Sequence, residues 1–151
     1  MAGFIPLYVF LFVLAVLGIW AVYRVLGGPS QLPPADYRTV IDDLIETAER
    51  ERARLLAALD SGQGDLGAVA SSSRKIFQTG YYQSLRLRPS EAADAAAEVR
   101  DHIRRACEAC DWAGRMVGGE TANNPLLLGS ARSLLEAAGA ELERARAGLL
   151  P

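Results

Sequence analysis

Two cysteines three apart, Cys107 and Cys110 in "RRACEACDW", are the residues whose type and spacing most suggest chemistry. Thiols at i and i+3 share a helix face, so such a pair could cycle between dithiol and disulfide or give a metal two ligands. A redox CxxC needs its first thiol at a helix N-terminus, where solvent and the helix dipole favour the thiolate. Here the pair falls deep inside an alanine-rich helical stretch, and Cys110 occupies that stretch's apolar stripe. The simpler expectation is a pair of small core residues, with Arg104 and Arg105 as the nearest cations. No second cysteine pair completes a zinc site. His102, the single histidine, projects about 140° around the helix from Cys107, a poor common vertex.

His102 also stands beside Asp101 with Glu98 four residues earlier, which hints at a bundle di-iron site. That site needs Glu-x-x-His twice plus two further inward glutamates, and one histidine cannot supply it. No glycine-rich phosphate loop, nucleophile elbow or HExxH occurs. The chain is therefore expected to be no enzyme and to hold no cofactor.

A different chemistry resides in "RKIFQTGYYQSLRLR". Between Asp65 and Glu91 there are four basic residues, Arg74, Lys75, Arg86 and Arg88, and no acidic one. Phe77, Tyr81 and Leu85 form an i, i+4, i+8 apolar ridge, which would turn Lys75, Gln78, Tyr82 and Arg86 outward. Arg74, Lys75, Tyr82, Arg86 and Arg88 are thus the candidate surface for anionic lipid or a partner protein. The whole chain carries a net charge of −2, so nucleic acid is not an expected partner.

The elements that must position these residues are helical. Half of the 151 residues are hydrophobic, and they are unevenly spread. Residues 1–23 carry no charge, the first being Arg24, and a helix through them would rise about 33 Å, enough to cross a hydrocarbon layer of about 30 Å. Residues 1–26 are therefore expected to be one N-terminal transmembrane helix, with Phe4, Tyr8, Trp20 and Tyr23 as interfacial aromatics. Nothing before Arg24 is basic, which argues for a retained anchor over a cleaved signal peptide. Arg24 and Arg38 both follow the charge-free run, so the N-terminus is placed outside and the remainder in the cytoplasm, at the cell membrane. Ala15, Gly18 and Ala21 give the span a small-residue face.

Residues 27–34, "GGPSQLPP", read as a Pro/Gly linker and 35–151 as a small antiparallel helical bundle. No stretch has the alternation of a strand. The 3.6-residue period instead predicts three long helices and one short one: about 35–59, 74–87 (the short one), 90–117 and 125–149. A Gly/Ser-rich loop is expected over 61–73. The charged "ERERAR" at 49–54 reads as a solvated, ion-paired turn or as a docking band. Ser90 and Asn124 are candidate helix N-caps.

No known family is suggested by these residues. The expected function is a single-pass, membrane-anchored adaptor, accessory subunit or scaffold, with the bilayer and other membrane or cytosolic proteins as partners. The alternatives are a tethered thiol redox or metal protein using Cys107 and Cys110, or a lipid-surface, envelope-organising protein using residues 74–88. The regular stripes also suit self-association into a homo-oligomer.

Overall fold

The computed structural model describes residues 5–26, 30–62, 65–90, 94–118 and 124–149, and the chain divides into two compact units, 1–30 and 31–151.

The first unit contains helix α1, Ile5–Leu26. Its described side chains are those of residues 11–21, all exposed, among them Leu11, Phe12, Leu14, Leu17, Ile19 and Trp20. Among the described residues no helix is long and apolar enough to cross a membrane. The transmembrane span expected over 1–26 is thus not shown. The eleven residues at 11–21 rise only about 16 Å against a layer of about 30 Å, and the remainder of the expected span, 1–10 and 22–26, lies outside the described side chains.

The second unit is a helical bundle of α2 (Pro34–Ser61), α3 (Leu66–Arg86), α4 (Asp94–Met116) and α5 (Pro125–Leu149). Each helix packs against the next, and α5 closes the ring on α2. Residues meet in opposite chain order across every seam. Arg38 reaches the Leu149 carbonyl, Arg52 the Leu135 carbonyl and Arg132 the Asp60 carboxylate, so α2 and α5 are antiparallel. Glu51 meets Ser73 and Leu44 approaches Gly80 between α2 and α3, Arg74 meets Asp111 and Gly80 approaches Cys107 between α3 and α4, and Val99 approaches Gly148 while His102 meets Glu141 between α4 and α5. The result is an up-down-up-down four-helix bundle.

The core follows the apolar stripes. Val99, Ile103, Ala106, Cys110 and Ala113 of α4 are buried, with Val117 just after it, as are Ala131, Leu135, Ala138, Leu142 and Ala145 of α5. Alternating leucine and alanine lets two helices approach closely while filling the space between them.

Three local expectations are corrected. The third helix is not short. Asp65 caps it, accepting from the Ala68 amide at 2.9 Å, and the helix runs through the Gly/Ser-rich stretch that was expected to be a loop. Its serines fit because Ser72 returns its hydroxyl to the Val69 carbonyl and Ser73 turns inward. Gly62 follows the last turn of α2 with φ at 57°, in the left-handed region that favours glycine.

The linker is not wholly irregular either. Ser30–Leu32 (β1) pairs with Leu87–Pro89 (β2), and the Leu32 carbonyl accepts from the Ser90 amide at 2.8 Å. Leu32 and Arg88 each precede a proline, which biases them toward extended backbone. Such a segment is too short to show alternation. Residues 27–29 lie outside the described residues. Ser90, expected to cap α4, thus has its amide in this pairing, and residues 91–93, where that helix was expected to begin, also lie outside them. Asn124 does cap α5, its side chain accepting from the Leu126 amide at 3.0 Å.

The third correction concerns "ERERAR". Glu51 is buried and accepts from Ser73 Oγ at 3.1 Å, Glu49 pairs with Arg146 at 2.9 Å, and Arg52 runs over Gly139 to the Leu135 carbonyl. The band ties α2 to α3 and α5, so much of its charge is neither fully solvated nor offered to a partner.

Candidate functional site

The ridge expected at Phe77, Tyr81 and Leu85 is rotated in the folded protein. Ala70, Ser73, Phe77, Gly80 and Ser84 are the buried face of α3, and Leu85 is exposed. Small residues take the closest approach: a Cβ built on Gly80 would stand 3.0 Å from Cys107 Sγ and 3.4 Å from Leu44 Cδ1. This rotation moves Arg74, Gln78 and Tyr82, spaced at i, i+4 and i+8, toward α4.

There they meet Asp111, Trp112 and Arg115. Asp111 accepts from Arg74 Nε at 3.0 Å, Gln78 Nε2 at 3.1 Å and Arg115 Nε at 2.8 Å. Burial alone would raise the Asp111 pKa, but the hydrogen bonds and positive charges of the two arginines outweigh it and hold the carboxyl below its usual value. The Arg115 guanidinium also lies over the Trp112 ring, 5.0 Å from its centroid. Tyr82 meets Tyr81 edge-on with centroids 5.6 Å apart. Together these side chains border an open cavity of about 360 Å³, with Phe77 and Cys107 contributing to its lining. Tyr82 is 64% exposed and Trp112 51%.

Both thiols are buried at 1% exposure and unpaired. Burial pushes the Cys107 thiol up to about 12. It pushes Cys110 up as well, with the neighbouring Cys107 adding to the effect and Arg52 opposing it. These surroundings oppose the thiolate that redox exchange or metal ligation requires. Among the described residues no group of three or more His, Cys, Asp or Glu side chains is placed to hold a metal.

The basic residues of the third helix do not form one surface. Arg74 is committed to Asp111 across the α3–α4 seam. Lys75 borders the α2–α3 hollow beside Asp43. Arg88 lies in β2 beside a third hollow shared with Arg100 and Arg104. Arg86 remains on the exposed side of α3. Tyr82 alone of the five candidates reaches the aromatic cavity together with the α4 groups.

His102 lies in the opposite seam of α4, Nδ1 2.8 Å from Glu141 Oε2 and Nε2 3.8 Å from Glu98 Oε1. Arg105 and Arg144 also contact Glu141. Burial would raise Glu141, yet the hydrogen bond with His102 and the charges of Arg105 and Arg144 lower it. His102 is an interhelical strut between α4 and α5.

Asp111, Trp112 and Arg115 lie beside the apolar stripe, so the helical period does not point to them. The signal for them is a tryptophan off the stripe, three residues before an arginine. Comparison with protein-family models, with curated proteins and with solved structures finds no match.

Proposed function

We propose that the chain is a single-pass, membrane-anchored adaptor whose four-helix bundle docks a partner protein on the α3–α4 groove. The observation that carries this reading is the open concavity bordered by Tyr82, Trp112 and Arg115. Tyr, Trp and Arg dominate the energetics of protein interfaces, and here they surround a preformed cavity. The Arg74–Asp111–Arg115 network holds Asp111 and Arg115 in place at its edge, so a partner meets a surface already ordered.

The anchor in this reading is α1. Its 22 residues include one charge, Arg24, near the C-terminal end, and its described apolar side chains are exposed. Exposure of so many large apolar groups suits a lipid environment. Arg24 and Arg38 after the apolar run favour a cytoplasmic bundle at the cell membrane.

Photo-crosslinking of the full chain in its native membrane tests the docking face. A benzophenone amino acid at Tyr82 or Trp112 is expected to yield one discrete adduct, and the same group at Glu136 on exposed α5 none. Equal adducts from all three positions, or none from the groove, would remove the reading.

A further inference from the structure

The α3–α4 cavity has a definite chemical preference. Four aromatic rings border it, Phe77, Tyr81, Tyr82 and Trp112, together with the charged side chains of Glu108, Asp111 and Arg115. Counting Arg74, which Asp111 also binds, two acids face two bases around it, so what matters is which carboxylate is already paired. The two acids differ in what already surrounds them. Asp111 is gathered by Arg74, Gln78 and Arg115 at 2.8 to 3.1 Å. Among the described residues Glu108 pairs with Arg104 alone, at 3.9 Å, and that arginine stands closer to Asp101, at 3.5 Å. Glu108 is thus the carboxylate of the cavity with charge left to offer.

A cation already occupies part of this environment. Arg115 sits over the Trp112 ring while bonding Asp111, the combination of aromatic face and carboxylate that holds an ammonium group. We infer that the cavity binds a compact organic ammonium cation, held by the electron-rich faces of Tyr82 and Trp112 and by the Glu108 carboxylate. An anion is disfavoured by the Glu108 carboxylate and the electron-rich ring faces, and a neutral ligand gains only the buried area. The volume of about 360 Å³ lies within the range of small-ligand sites. The ammonium is either a free small molecule or the lysine side chain of a docked protein. The inference shares its groove with the proposed adaptor reading but is tested separately from it.

The full chain in maltoside micelles, carrying Trp20→Phe, has Trp112 as its sole indole. Choline is expected to change Trp112 emission saturably, and its neutral isostere 3,3-dimethylbutan-1-ol to bind about fivefold more weakly. Glu108→Gln weakens choline about threefold, whereas Arg115→Gln, which removes the resident cation, tightens it. No saturable change in a chain that melts normally, or equal affinity for the isostere, overturns the inference. Its failure is distinguishable from that of the docking reading: a Tyr82 adduct without choline binding keeps docking and removes the cation site. Where choline binds, the crosslinker is moved to Leu85, exposed on α3 and outside the cation site: competition of that adduct by choline assigns the ammonium to the partner protein, and an uncompeted or absent adduct assigns it to a free ligand.

Discussion

Asp111 and Glu141 organise the two seams of α4, each by drawing cations from a second helix onto one carboxylate. Both carboxyls sit below their usual values of 3.8 and 4.5. A carboxyl depressed by folding stabilises the native state above its unfolded value, and the contribution is lost as pH falls through the folded value. The melting temperature is therefore expected to hold from neutral pH to about 5 and then to fall steeply below about 4.5. Asp111→Asn should lower stability at pH 7 by about 1–2 kcal/mol and make the acid limb shallower, as read by thermal melts across pH. An unchanged acid limb would show that Asp111 takes no part. At the same scale, Cys107 and Cys110 should resist a thiol reagent in the folded chain and react once denaturant is added. Prompt native-state titration would contradict their place in the core.

The helices show how much of this was legible in the chain. The stripes of α4 and α5 appear in the sequence as an uninterrupted 3.6-residue period, and their central residues are buried, with Ala96, Leu128 and Leu149 partly so. The third helix was harder, because its buried face includes Ser73, Gly80 and Ser84. Hydropathy patterns register apolar side chains, whereas this seam is chosen by smallness and by a serine that meets Glu51. The Gly/Ser composition of 61–73 then looked like a loop, although one N-cap, Asp65, was enough to start a helix there. The site was half legible for a related reason. Tyr82 was visible as an outward aromatic, but its sharing a cavity with Trp112 depends on an α3–α4 register that no single helix encodes. Leu135→Ala, at the fully buried centre of α5, should cost about 2–5 kcal/mol in chemical denaturation. Leu126→Ser, at an exposed position, should change stability by less than about 0.5 kcal/mol. Equal costs would contradict the assigned core.

For the whole molecule, an average composition conceals two unlike units. Residues 31–151 form a bundle with its own core, and its neighbouring helices are wired by interhelical ion pairs or hydrogen bonds. Residues 1–30 hold a helix whose described side chains are all exposed. The adaptor reading joins these facts: the first unit holds the second at a membrane, where its groove meets a partner. Membrane fractionation tests that claim most directly, comparing the full chain with one beginning at Gln31. The full chain is expected to remain with membranes through alkaline carbonate and to leave only with detergent, while the shorter chain is released as a folded, helical protein. Recovery of the full chain in the soluble fraction would contradict the account.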